Sequence, residues 1–146
     1  MKYIKRFEKI VTALDYSKQY LTELPELSNK LEYLYCSQNY LNELPKLPNS
    51  LITLYCNNNY LLSLPDLPKK LEYLHCNNNK LTYLPKLPNT LKILDCSNNN
   101  LTSLHNLPES LTALLCSGNN LPYNNLEEYK EWKEYPEKFL AKKFNI

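Results

Sequence analysis

The sequence LEYLYCSQNYLNELPKLPNS, residues 31–50, is one copy of a pattern that recurs every 20 residues, without insertion or deletion, as far as Leu121. The repeating unit is L-x-x-L-x-C-x-x-N-x-L-x-x-L-P-x-L-P-x-x, with copies that begin at Leu31, Leu51, Leu71, Leu91 and Leu111 and a looser copy that begins at Val11. A period of this length is typical of a solenoid, in which each unit buries its apolar edge against the next. The pattern therefore predicts a protein that presents a surface rather than a catalytic pocket.

Alternating apolar and outward positions predict a short strand in each unit. In the copy quoted above, Leu34 and Cys36 are expected to face the core, while Tyr33 and Tyr35 face outward. Asn39 is expected to turn the chain by bonding backbone groups that the bend leaves unpaired. The prolines of the return limb favour extended, polyproline-like backbone over a helix. The predicted fold class is an α/β solenoid with a parallel sheet on one side and extended limbs on the other.

Both ends of the chain are expected to close the stack. Residues 1–10 match the return limb of a degenerate opening coil, so the solenoid is predicted to cover residues 1–123, with about five full repeats from residue 11 and a partial sixth from residue 111. Residues 124–146 are predicted to form a helical cap over the last coil, because an open solenoid end exposes apolar surface.

Helix signals in this last segment are specific. Asn124 and Asn125 are suitable N-cap residues, and the glutamates of the following turn suit a capping box. One helical face then carries Leu126, Tyr129 and Trp132. A second short helix is expected to open at Pro136, a residue favoured in the first turn of helices, and to carry Phe139 and Leu140.

Composition and charge narrow the classes of function. A formal net charge of +2, made of mixed signs, does not indicate a polyanion partner. The single glycine, Gly118, excludes a phosphate-cradling loop. Charged residues interrupt the segment from Met1 to Leu14, so no secretory signal is expected, and no stretch approaches the roughly 20 apolar residues of a membrane span. We therefore expect a cytoplasmic protein without a membrane partner.

Five cysteines occupy one inward phase of the repeat: Cys36, Cys56, Cys76, Cys96 and Cys116. Stacked copies place the thiols in a row, which cannot surround a metal ion. Neighbouring thiols are close enough for disulfides, but side chains of adjacent parallel strands rarely reach the required torsion, and five thiols cannot all pair. Burial raises a thiol pKa and disfavours nucleophilic catalysis. We expect a row of small buried apolar side chains in a reducing compartment, with no metal and no cofactor.

Tyrosines dominate the outward positions. The two outward columns of the strands and the column just beyond them are Ala13, Tyr33, Thr53, Tyr73, Ile93, Ala113; Asp15, Tyr35, Tyr55, His75, Asp95, Leu115; and Tyr20, Tyr40, Tyr60, Lys80, Asn100, Asn120. Aromatic residues beside polar ones match the composition of binding hot spots, although stacked tyrosines also stabilise strands. His75 beside Asp95 suits a solvent-facing polar pair better than acid–base catalysis, because no nucleophile or oxyanion donor accompanies it.

These repeats resemble the leucine-rich repeat family, whose core motif is L-x-x-L-x-L-x-x-N-x-L. The period and the L-P-x-L-P limb resemble the short subclass found in secreted effectors of enteric pathogens, some of which carry a separate ubiquitin-ligase domain. The cysteine-bearing repeats of this chain also look like those encoded by large amoeba-infecting DNA viruses. The resemblance covers residues 11–121 and implies an arc with its sheet on the concave face and an asparagine ladder formed by Asn39 and its copies. Cysteine replaces the usual aliphatic strand residue, and no ligase domain follows Leu121, so ligase activity is not expected.

The expected function is that of a non-catalytic protein–protein interaction module. The resemblance implies that a pathogen or virus encodes it and that its partner is a host protein. The residues expected to contact the partner protein are Tyr33, Tyr35, Tyr55, Tyr73, His75, Asp95, Tyr40 and Tyr60. The alternatives are a structural solenoid that self-associates through its ends and a substrate-recognition arm of a ubiquitin ligase supplied in trans. Nucleic acid is not an expected partner, because the strand face has almost no Lys or Arg, and no small-molecule substrate is expected.

Overall fold

The computed structural model describes residues 12–145, which form stacked coils followed by two helices. The predicted opening coil, residues 1–10, and the predicted start of the first repeat at Val11 lie outside the described residues. Each described coil contributes one three-residue strand, and the bounds are β1 (Ala13–Asp15), β2 (Tyr33–Tyr35), β3 (Thr53–Tyr55), β4 (Tyr73–His75), β5 (Ile93–Asp95) and β6 (Ala113–Leu115). The helices are α1 (Leu126–Glu134) and α2 (Pro136–Phe144).

The six strands form one parallel sheet in chain order, and each residue pairs with the residue 20 positions further on. Leu34 faces Leu54, for example, and Tyr35 faces Tyr55. Side chains at one phase of the repeat therefore form columns that run across the sheet. Each strand is short because the turn after the cysteine ends it. The sheet, the non-helical limbs and the two terminal helices confirm the predicted fold class.

The core is a stack of leucines and cysteines. Leu34, Leu54 and Leu74 are completely buried, as are Cys36 and Cys56, so the inward positions predicted from the alternation are inward in the structure. In the limbs, leucines of the L-P-x-L-P segment close the opposite side of the core. The described residues between β1 and β6 contain no helix, as expected where proline removes backbone donors.

The amides of Asn39, Asn59, Asn79, Asn99 and Asn119 join successive coils. In the coil of Asn59, the side-chain Nδ2 donates to the carbonyl oxygens of Cys56 in its own coil and Cys36 in the preceding coil, both at 3.0 Å. The Oδ1 accepts from the backbone N–H of Leu41 at 3.1 Å. A buried turn would otherwise leave these backbone groups unpaired at a cost of about 1–3 kcal/mol each.

The C-terminal helices cover the last coil. Asn125 is the N-cap of α1, because its side chain accepts from the backbone N–H of Glu128 at 2.9 Å. Tyr123 and Tyr129 are buried, and the ring of Trp132 lies 5.1 Å from that of Tyr123. The predicted apolar face of α1 therefore packs on the solenoid.

Both C-terminal helices begin at residues that are typical of helix starts. The second helix begins at Pro136 as predicted. Of the two candidate N-caps, only Asn125 occupies the cap position. The backbone N–H of Asn124 instead donates to Glu128 Oε2 at 3.0 Å. Neither helix in the described range 12–145 is long and apolar enough to cross a membrane.

One outward strand position is buried by its neighbours. Thr53 is at an outward strand position, yet only 6% of its surface is exposed. Its register partners on the two neighbouring strands are Tyr33 and Tyr73, whose larger side chains flank it. The expectation that Thr53 faces solvent is therefore wrong, because alternation sets the direction of a side chain and not the size of its neighbours.

Candidate binding surface

The outward side of the sheet, with the residue that precedes each strand, is called the strand face below. Its central feature is a column of rings in register across β2, β3 and β4. The rings of Tyr35 and Tyr55 meet edge to face with their centroids 5.3 Å apart, and those of Tyr55 and His75 are 4.2 Å apart. All three side chains are half-buried. Each ring is thus fixed by a neighbour and still presents an edge to solvent.

Asp95 continues this column on β5, in register with His75. Its carboxylate accepts from the backbone N–H of Ser97 at 3.1 Å and from the Ser97 hydroxyl at 2.6 Å. Burial lowers the pKa of His75, and the nearby Asp95 carboxylate opposes that effect without reversing it. The imidazole is therefore largely neutral at pH 7.

Tyr33 and Tyr73 belong to the neighbouring column and flank the buried Thr53. Six of the eight side chains expected to contact a partner therefore share the strand face: Tyr33, Tyr35, Tyr55, Tyr73, His75 and Asp95. The hydrogen bonds of the sheet fix their spacing, because equivalent residues of adjacent strands are separated by about 4.8 Å.

The other two, Tyr40 and Tyr60, lie on a different part of the coil, beyond the turn. With Tyr20 they form a line called the tyrosine row below. The centroids of Tyr40 and Tyr60 are 6.0 Å apart with nearly parallel rings, and Tyr20 is 6.0 Å from Tyr40. The ammonium group of Lys80 lies 4.9 Å from the centre of the Tyr60 ring, a cation–π contact that ends the row.

The tyrosine row lines an open groove of about 450 Å³ whose other walls are amide side chains. Gln38 and Asn58 project beside the rings, and both have positive φ, of 59° and 56°. Exposure is high here: 76% for Tyr20 and 44% for each of Tyr40 and Tyr60. The structure therefore divides the expected contact residues between two surfaces, the strand face and this groove.

Sequence reasoning overlooked the charged residues that precede the strands. Lys92 Nζ lies 2.7 Å from Glu72 Oε2, an ion pair between neighbouring coils. Glu32 occupies the same phase of the repeat, two coils before Glu72 and three coils before Lys92. The sequence carried a signal for this pair, because Glu72 and Lys92 have opposite charges at the same phase of successive repeats. The phase precedes the strand and so lies outside the alternation from which the outward residues were predicted.

The cysteines form the buried row that the repeat predicts. All five are free thiols in the structure, and none has more than 1% of its surface exposed. Burial raises the pKa of Cys36 and Cys116 to about 12 and raises that of the three between them as well. Such thiols are poor nucleophiles because little thiolate forms. Among residues 12–145, no group of three His, Cys, Asp or Glu side chains is arranged to hold a metal ion.

Solved structures with a similar fold include leucine-rich repeat effectors of Yersinia and Shigella. YopM from Yersinia enterocolitica has 38% sequence identity and a TM-score of 0.76 over 77% of this chain and 25% of that chain. A Shigella effector leucine-rich repeat domain has 37% identity and a TM-score of 0.76 over 77% of this chain and 52% of that one.

YopM from Yersinia pestis, described as a leucine-rich effector protein, has 46% identity and a TM-score of 0.73 over 75% of this chain and 32% of that chain. The chain thus spans between a quarter and about half the length of these proteins. No protein-family model and no curated protein matches the sequence. The repeat, the stacked parallel sheet and these similarities identify the chain as a leucine-rich repeat protein of the 20-residue, bacterial-effector-like class.

Proposed function

We propose that this protein is a non-catalytic module that binds a partner protein through its strand face, with Tyr35 and Tyr55 as the central contacts. The observation that carries the proposal is the ring column Tyr35, Tyr55 and His75, whose members contact one another and remain partly exposed. Half-buried aromatic side chains surrounded by polar groups are the usual anchors of protein interfaces.

Rigidity of this column favours binding. Each ring is attached to a strand whose backbone is hydrogen-bonded on both sides, and Tyr35 is further held by the edge of Tyr55. Ordering a mobile side chain at an interface costs about 0.5–1.5 kcal/mol. A side chain that is already held loses little of this freedom on association.

The strand face alone is small for a stable interface. Six strands at about 4.8 Å span roughly 29 Å, and the four residues that each coil contributes to the strand face span roughly 13 Å. That planar area is well below the roughly 800 Å² that a standard interface takes from each partner. A stable partner must therefore also contact surface beside the strand face, and the groove of Tyr40 and Tyr60 offers exposed aromatic side chains there.

The kind of partner and the compartment are also proposals. The similar structures are bacterial effectors, which supports a host protein as the partner. Five reduced, buried thiols suit a reducing compartment such as a cytoplasm. The alternative of self-association through the solenoid ends has less support, because at the C-terminal end the ring of Trp132 packs within the cap against Tyr123 and Tyr129.

Affinity capture with three baits tests the proposal. The wild-type protein, the double variant Tyr35→Ala/Tyr55→Ala and the control Tyr83→Ala are immobilised and exposed to lysate of the host. Tyr83 is 57% exposed and belongs to a return limb, away from both surfaces, so its loss removes a phenol without touching the site.

The expected result is a protein retained by the wild type and by Tyr83→Ala and lost from the double variant. Circular dichroism should show all three folded, because the Tyr35–Tyr55 contact contributes only about 0.5–1.5 kcal/mol beyond its burial. Retention of the same protein in equal amount by the double variant would exclude the strand face as the binding surface.

A further inference from the structure

The strand face is acidic although the chain as a whole is basic. In the six strands and the residue before each, four carboxylates and one amine give a formal charge of −3, against +2 for the whole sequence. The carboxylates are those of Asp15, Glu32, Glu72 and Asp95, and the amine is that of Lys92. The compensating positive charge lies elsewhere in the sequence: residues 1–10 carry a formal charge of +3 and the turns and return limbs +2, whereas the two C-terminal helices sum to zero.

Lys92 does not offset the remaining carboxylates. It is bonded to Glu72 at 2.7 Å, so its charge serves one ion pair within the face. His75 is largely neutral at pH 7 and adds little positive charge, because burial lowers its pKa. Within residues 12–145, Glu32 and Asp95 form no salt bridge.

The two carboxylates lie at the ends of the aromatic surface. Glu32 directly precedes Tyr33, and Asp95 follows Tyr35, Tyr55 and His75 across the sheet. Their strands, β2 and β5, are three strand spacings apart, which is roughly 14 Å. Phenol rings between two carboxylates suit a flat cation, which stacks on a ring and bonds to a carboxylate at the same time.

We infer that the strand face binds a cationic, arginine-bearing segment of the partner protein, with guanidinium groups over the tyrosines and with Glu32 and Asp95 as their counter-ions. This inference rests on the proposed function and specifies its partner. Arginine fits better than lysine, because its planar group stacks on aromatic rings and bonds carboxylates through two parallel N–H groups. The same charges repel an acidic segment and nucleic acid phosphates.

A matched pair of charge variants tests the inference. Glu32→Gln/Asp95→Asn removes two negative charges from the strand face. Glu23→Gln/Glu43→Gln removes two from exposed positions of the return limbs and so changes the net charge equally. The probes are three fluorescent synthetic peptides of four Arg-Gly, four Lys-Gly or four Glu-Gly units, titrated at about 50 and 300 mM salt and followed by anisotropy.

The expected order of affinity for the wild type is arginine, then lysine, with no binding of the glutamate peptide. Loss of the two strand-face carboxylates should weaken the arginine peptide about fivefold or more, whereas the limb variant should change it less than about twofold, because screened exposed charges contribute little at a distance. The Tyr35→Ala/Tyr55→Ala variant should also bind the peptide more weakly.

Equal weakening by both charge variants, or no preference for arginine over glutamate, would overturn the inference. The proposed function would survive that outcome if the tyrosine variant still lost the captured protein. If instead the captured protein were retained by the tyrosine variant, the proposed function itself would fail, whatever the peptides showed.

Discussion

Replacing Asn59 by alanine removes the side chain that joins the third described coil to the second. Asn59 is 5% exposed, and its amide makes hydrogen bonds to the carbonyl oxygens of Cys36 and Cys56 and from the N–H of Leu41, all at 3.0–3.1 Å. The two carbonyl oxygens keep other partners, because Asn39 also donates to Cys36 and Asn79 to Cys56. The N–H of Leu41 loses its acceptor in a completely buried position.

The expected cost follows from this count. Each of the three lost hydrogen bonds contributes about 0.5–1.5 kcal/mol net, so that together they contribute about 1.5–4.5 kcal/mol. The N–H of Leu41, which is left buried without an acceptor, keeps the expected cost away from the lower end of this sum. We expect Asn59→Ala to lower the free energy of unfolding by about 2–4 kcal/mol, which is a shift of roughly 5–15 °C in Tm for a chain of this length.

Guanidinium denaturation followed by circular dichroism measures this change. The matched control is Asn42→Ala, since Asn42 is an exposed asparagine on the adjoining limb, and its replacement should stay within about 0.5 kcal/mol. The slope of the transition should be unchanged in both variants, so that the midpoints can be compared. If Asn59→Ala and Asn42→Ala unfolded at the same midpoint, the amide bonds would not hold the coils together.

Two further substitutions test the cap and the strand face. Asn125→Ala should cost about 1 kcal/mol by removing the N-cap bond to Glu128, and an unshifted thermal unfolding curve would contradict that role. His75→Gln should flatten the fall in stability between about pH 7 and pH 5. Burial lowers the pKa of His75 in the folded state, so the unfolded chain binds the proton more tightly and stability falls as the pH drops below its ordinary pKa. Urea titrations at a series of pH values would show it, and an identical pH slope in the variant would refute it.

Much of the fold follows from the repeat alone. Because the period never slips from Leu31 to Leu121, every phase becomes a column, and residues such as Tyr55 and His75 are predictable neighbours although they are distant in sequence. Asn125 and Pro136 similarly carry the local chemistry of helix starts.

What the repeat does not give is the extent of exposure and the contacts between side chains. Thr53 follows the outward phase and is buried, because its neighbours on both strands are tyrosines. Tyr40 and Tyr60 share the aromatic character of the strand tyrosines but line a separate groove, since the turn before them redirects the chain. Such features depend on side-chain volume and on backbone angles, which a period does not specify.

The ion pair of Glu72 and Lys92 illustrates the same limit for charge. A spacing of 20 residues predicts that the two side chains are adjacent, but the bond also requires both long side chains to turn toward each other. The formal charge of −3 on the strand face follows from the sequence once the strand bounds are known, but the structure is needed to show which of its carboxylates forms the ion pair with Lys92. The contact residues themselves stay a prediction until a partner is bound.

Thiol labelling of the folded protein tests the stacked-coil arrangement most directly. The five cysteines have at most 1% of their surface exposed, and burial raises the pKa of Cys36 to about 12, so both access and thiolate formation are restricted. Mass spectrometry after brief treatment with iodoacetamide at pH 8 should find no modified cysteine in the native protein and five in the guanidinium-denatured protein. Rapid modification of all five in the native protein would contradict a solenoid with its sulfhydryls in the core.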